Sequence, residues 1–215
     1  MILVVGHTKG GVGKTTIAFN VAVAFAMSGR SVHLVDADSQ GTAAMAAAIR
    51  AAAGYAPPLP WSVCPDGSAL RGHVETVAAA CEDVVIDAGG RDSAALRASL
   101  LVADVLLAPF QPRSFDVWAL QDVAALVSDA ARHRGGLRAF ACLNAADAGG
   151  GQDNQEAAAS VADAPPLSLL DAPLSRRKAF ANAAGSGRCV YELKPKDQKA
   201  CAELSALVSA LNVPR

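Results

Sequence analysis

Aromatic residues are scarce in this chain of 215 residues, at 5%, and charged residues are few, at 18%. With 52% hydrophobic residues beside so little charge, the composition excludes a disordered chain and supplies a real core. Neither sign of charge is in excess: 19 Lys and Arg stand against 20 Asp and Glu, a formal net charge of −1. A protein that coats nucleic acid with its whole surface is thereby excluded, and any such contact must come from a local patch. The five cysteines (Cys64, Cys81, Cys142, Cys189, Cys201) form no CxxC pair and are odd in number. That argues against a zinc site or disulfide scaffold and for reduced, mostly buried thiols in a cytoplasmic protein. No basic segment precedes the opening Met-Ile-Leu-Val-Val-Gly, so no signal peptide is expected. The longest uncharged helical candidate, 15–29, is too short and too polar to span a bilayer.

Alanine is what the sequence has in quantity, 48 residues, and small side chains let helices sit close on a sheet. Short apolar runs rich in Val and Leu fall at 2–5, 32–35, 84–86, 105–108 and 139–143. Lacking polar alternation, they read as strands covered on both faces. Helical candidates lie between and after them, at 15–28, 42–52, 69–80, 93–101, 115–132, 154–162 and 197–211. The alternation predicts one α/β domain over 1–215, a doubly wound, mostly parallel sheet flanked by helices. The glycine-rich tract 148–151 and the proline-rich tract 56–60 read as loops within it.

Directly after the first strand comes Lys9-Gly10-Gly11-Val12-Gly13-Lys14-Thr15-Thr16. The ordinary P-loop has a glycine where this chain has Thr8; here a glycine pair with a second lysine ahead of it replaces that pattern. The chemistry is still that of a phosphate cradle. Residues without side chains let backbone N–H groups curl around an anion, and the following helix aims its positive end at the same point. Lys14 is placed to reach the β- and γ-phosphates of a nucleotide and the Thr15 hydroxyl to ligate Mg²⁺. An aspartate closing an apolar strand, Val84-Val85-Ile86-Asp87, is placed to hold the same ion through water.

Lysine ahead of the paired glycines resembles the deviant Walker A motif of the ParA/MinD family of ATPases. Further positions carry the resemblance: Asp36-Ala37-Asp38 after the second strand, Asp87, the glycine-containing Ala88-Gly89-Gly90-Arg91-Asp92, and 103–109 with its terminal Pro109. The resemblance implies an Mg-ATP site in which Gly10, Gly11, Val12, Gly13, Lys14, Thr15 and Thr16 hold the phosphates. It further implies that Asp38 positions the attacking water, Asp36 lies nearer the magnesium shell, and 88–92 senses the γ-phosphate. Ala88 departs from the threonine more usual there. Asn144, at the end of the 139–143 strand, sits where the family reads adenine. Lys9 is the signature residue, which in the family crosses to the partner's phosphates, so an ATP-dependent sandwich homodimer and slow hydrolysis are implied.

Among members of that superfamily, membrane-binding ones end in a basic amphipathic helix, whereas 207–215 carries one basic residue. Membrane binding is therefore not expected. Residues 172–199 hold seven basic residues (Arg176, Arg177, Lys178, Arg188, Lys194, Lys196, Lys199) against Glu192 and Asp197. Such a patch, doubled in a dimer, suits sequence-independent, salt-sensitive contact with DNA phosphates. A chain that opens on its first strand leaves no expectation of site-specific operator binding. The reading is a nucleoid-associated partitioning or positioning ATPase, its hydrolysis stimulated by a cargo-bound ParB-like partner. Two alternatives share the loop: an amidoligase-type, ATP-dependent metabolic ligase, which has no use for Lys9, and an ATPase that positions the cell-division site.

Overall fold

The apolar runs form the interior of a parallel sheet. A computed structural model describes residues 1–90, 93–147, 149 and 151–211, and of 114–117 it describes the backbone alone. The strands are β1 (Ile2–Val5), β2 (Val32–Ala37), β3 (Trp61–Val63), β4 (Asp83–Ala88), β5 (Val105–Phe110), β6 (Arg138–Ala146), β7 (Ser168–Leu169) and β8 (Leu174–Ser175). The helices are α1 (Lys14–Met27), α2 (Thr42–Ala52), α3 (Gly67–Ala78), α4 (Ala94–Leu100), α5 (Ser114–His133), α6 (Gln152–Ala159), α7 (Lys178–Gly185) and α8 (Gln198–Leu211). Strand order is β3-β2-β4-β1-β5-β6-β7, with β8 also on β6, and every pairing is parallel. All five expected strands are present, and α2 has the expected bounds. Three short edge strands, β3, β7 and β8, and helix α7 were not expected. Two- or three-residue edge strands carry no apolar run to announce them, and β3 leaves Trp61 and Val63 exposed. Residues 91–92, part of the expected phosphate-sensing loop, and 212–215 lie outside the described residues.

Each face of the sheet has its own apolar core. On one face α1 packs with α7, α8 and part of α2; on the other lie α3, α4, α5 and α6. Helix α1 is buried from Ile17 to Ala26 and is apolar nearly all round, the pattern of a helix enclosed on every side. Alanines 18, 22, 24 and 26 keep it slim enough to be sheathed by sheet and helices together. Because α1 begins at the phosphate loop, that loop is mounted on the most deeply buried helix of the fold.

Two buried polar side chains fasten the C-terminal segment onto α1 and α2. The Asn20 carbonyl accepts from Val190 N–H at 3.0 Å, while its amide donates to Thr16 O at 2.8 Å. Arg50, 1% exposed, donates to the carbonyls of Pro57 and Gly187 and to both carboxylate oxygens of Glu192, at 2.8 and 3.1 Å. Gly187 sits at φ +70°, and a Cβ there would come within 2.5 Å of Arg50 N. A buried guanidinium is tolerated only because carboxylate and carbonyls satisfy it. Arg50→Ala is therefore expected to cost about 3 kcal/mol in urea unfolding, since it strands Glu192 and two carbonyls; a loss below about 1 kcal/mol would contradict this account.

Candidate nucleotide site

β1, the central strand, ends at Val5 between Asp87 of β4 and Leu107 of β5. The chain then loops through 6–13 and enters α1 at Lys14. Gly11 and Gly13 adopt φ +78° and +96°, a left-handed backbone that costs L-residues about 1–2 kcal/mol each. Gly13 also precedes the first turn of α1, which carries no acidic residue, so the positive end of the helix is open to an anion. The Lys14 side chain is 7% exposed and donates Nζ–H to Lys9 O at 2.8 Å. Burial pushes its pKa down, while the charges of Asp87 and Asp38 act to raise it.

Register brings the carboxylates together. Asp36 of β2 and Asp87 of β4 are direct cross-strand partners, and both are fully buried. Asp36 accepts from Asp38 N–H at 3.0 Å and from Ala44 N–H at 2.8 Å, so it folds the β2–α2 turn that presents Asp38. Burial raises its pKa, and these backbone N–H groups hold the rise back. Asp38 itself is half-buried and accepts from Gln40 N–H at 3.0 Å. Its carboxylate lies against Gly89, where an added Cβ would meet Cγ at 3.2 Å, and a Cβ on Gly90 would meet Lys14 Nζ at 3.3 Å. The glycine pair is what lets carboxylate and ammonium approach the loop this closely.

Asp87 differs from the other two: neither of its oxygens has a hydrogen-bond partner among the described residues. Burial raises its pKa to about 7, with Asp36 and Asp38 adding to the rise and the Thr15 hydroxyl and Lys14 opposing it. An orphaned buried carboxylate beside a threonine hydroxyl at the start of α1 fits a hydrated Mg²⁺, which carries positive charge and water donors to such oxygens. Thr15, by its hydroxyl, and Asp87, through water, would be the residues to hold such an ion. Asp87→Asn is expected to raise the unfolding midpoint of the nucleotide-free protein, by removing a buried unpaired charge, and to reduce the further rise given by Mg-ATP. A lowered midpoint without nucleotide would contradict this.

The remaining expected residues divide. Lys9 donates its backbone N–H to His7 Nδ1 and borders an open cleft of about 610 Å³ with Thr8, Arg97 of α4, and Asp122 and Leu126 of α5. That cleft had no sequence signal. Asn144 donates its amide to Val12 O at 2.7 Å, a contact with the loop that its strand-end position did not reveal. Gln111, two residues after Pro109, was missed; its amide donates to Gly11 O at 3.0 Å. Of the seven basic residues, Arg177 is bound to Glu203 of α8 and Arg188 lies over the Tyr55 ring, 4.6 Å from its centre. Arg176, Lys178, Lys194, Lys196 and Lys199 are exposed. All five cysteines are free thiols, with Cys64, Cys142 and Cys189 buried. Among the described residues no helix is long and apolar enough to cross a membrane.

Known proteins resemble this chain in sequence and in fold. The profile of the CobQ/CobB/MinD/ParA nucleotide-binding domain matches residues 3–190. The maintenance of carboxysome distribution protein A of Halothiobacillus neapolitanus is 26% identical over 96% of this chain and 94% of its own. A McdA of Cyanothece solved in complex with ATP superposes with a TM-score of 0.80 at 17% identity, over 100% of this chain and 97% of its own. The cobyrinic acid a,c-diamide synthase of Mycobacterium smegmatis, solved with ADP and magnesium, gives 0.69 at 19% identity over 86% and 92%. The profile spans most of the chain, and this protein belongs to the CobQ/CobB/MinD/ParA nucleotide-binding family.

Proposed function

We propose that this chain is a slow, Mg-dependent ATPase of the ParA type that positions a macromolecular cargo. The observation that carries the reading is the convergence of Lys14, Asp38 and Asp87 on one glycine loop that also bears the second lysine, Lys9. Backbone N–H groups of 10–16 and the Lys14 ammonium hold the phosphates, and Thr15 with Asp87 retains the metal. Bound Mg²⁺ supplies positive charge to the phosphate oxygens. Asp38, at the mouth of the loop, orients the attacking water. Lys9 of a second copy reaches across to the phosphates, so that ATP closes a homodimer and hydrolysis opens it. Exposed Arg176, Lys178, Lys194, Lys196 and Lys199 contact DNA phosphates without sequence preference in the dimer. A ParB-like, cargo-bound partner accelerates turnover. Likeness over the whole chain to a carboxysome distribution protein supports a large protein assembly as the cargo.

Sedimentation with ADP, with a slowly hydrolysed ATP analogue, and with that analogue plus duplex DNA tests the cycle. A dimer is expected with the analogue alone, moving onto DNA in a salt-sensitive way. A nucleotide-indifferent species that ignores DNA would remove the reading. Asp38→Ala is expected to retain ATP and the dimer while turnover falls about 100-fold or more, the scale of a lost water-activating group. Turnover at the parental rate would show that another group orients the water.

A further inference from the structure

The geometry points to Gln111 and Asn144 as a pair of amide clamps that set the direction of the phosphate-binding N–H groups. Asn144 is thereby a positioning residue for the loop. The inference rests on the nucleotide-site reading above.

Both residues stand where adjacent parallel strands end, Gln111 just past β5 and Asn144 within the last turn of β6. Their side-chain amides donate to successive carbonyls of the loop, Gln111 Nε2 to Gly11 O at 3.0 Å and Asn144 Nδ2 to Val12 O at 2.7 Å. A trans peptide is planar, so its N–H points opposite to its C=O. Fixing Gly11 O toward Gln111 therefore turns Val12 N–H the other way, and fixing Val12 O toward Asn144 does the same for Gly13 N–H. Those are the middle donors of the cradle.

Glycine makes both a clamp necessary and its close approach possible. Gly11 and Gly13 are at φ +78° and +96° and have no side chain to pin either peptide plane, so an unclamped loop samples many orientations. A Cβ on Gly13 would lie 2.2 Å from Asn144 Nδ2, which places the amide hard against the loop. Val12, 1% exposed, is the one side chain between the two glycines and is buried in the body of the protein. Two donors from the rigid sheet thus hold a loop that cannot hold itself, and an anion meets N–H groups already aimed.

Displacement of a fluorescent ATP analogue by ATP, GTP and inorganic tripolyphosphate, each with Mg²⁺, separates a clamp from a base reader. Gln111→Ala and Asn144→Ala are each expected to weaken all three competitors by a similar factor, about tenfold, the scale of one lost hydrogen bond. Asn144→Leu, close in size and uncharged but lacking the donor, is expected to weaken them as much as Asn144→Ala, whereas a packing role would be largely restored by it. Losses confined to ATP in Asn144→Ala would overturn its half of the clamp and leave it a reader of the base alone. Unchanged affinities in Gln111→Ala would overturn its half of the clamp. Failure of the unsubstituted protein to bind ATP would instead remove the nucleotide site itself, an outcome distinct from either.

Discussion

Asp87, whose oxygens meet no hydrogen-bond partner of ordinary geometry among the described residues, follows the apolar run Val84–Ile86 of β4 near the middle of the sheet, and the site is arranged around it. Leaving such a charge buried is costly, and natural proteins retain it where a cation or a proton completes it. Burial has already carried its pKa to about 7. The neighbours make sense in that light. Lys14 and the Thr15 hydroxyl ease the charge, and Asp36 directs its own oxygens into backbone N–H groups. On the proposed function, the stability withheld at Asp87 becomes available when Mg²⁺ binds, which would make nucleotide and metal binding a stabilising event for the fold.

The rest of the architecture delivers groups to that point at the proper distance. Parallel strands β2, β4, β1, β5 and β6 all end on one side, so Asp38, Gly89, the loop, Gln111 and Asn144 gather without any long connection. Glycines at 13, 89 and 90 remove the side chains that would crowd the Asn144 amide, the Asp38 carboxylate and the Lys14 ammonium. Behind the loop, α1 and α2 leave the phosphate and Asp38 turns, and both grip the same C-terminal segment through Asn20 and Arg50. The segment bearing most of the exposed basic residues is therefore fastened to the two helices that follow the glycine loop and the Asp38 turn.

What could be read from the sequence was what depends on local pattern. Buried parallel strands are apolar throughout, so all five interior strands and the phosphate loop between β1 and α1 stood out. Asp87 followed because it closes such a run, and Asp38 from the resemblance of Asp36-Ala37-Asp38 to the family's motif. What could not be read depends on side chains meeting across the fold. Gln111 and Asn144 are amides at strand ends, and nothing local distinguishes a turn former from a loop clamp. Arg50 looks like an ordinary helix-end base until Glu192, 142 positions away, is brought beside it. The basic tract shows the converse limit: counting charges could not tell that Arg177 is occupied by Glu203 or that Arg188 stacks on Tyr55.

Coupling between the metal and the nucleotide at Asp87 is the central claim, and thermal unfolding of the unsubstituted protein tests it most directly. Scans with ATP alone, Mg²⁺ alone and both together report how much each stabilises the folded state. The account predicts a rise in midpoint with both that exceeds the sum of the two separate rises, because Asp87 gains its cation only when the phosphates help to hold it. A rise with ATP that Mg²⁺ leaves unchanged would contradict it.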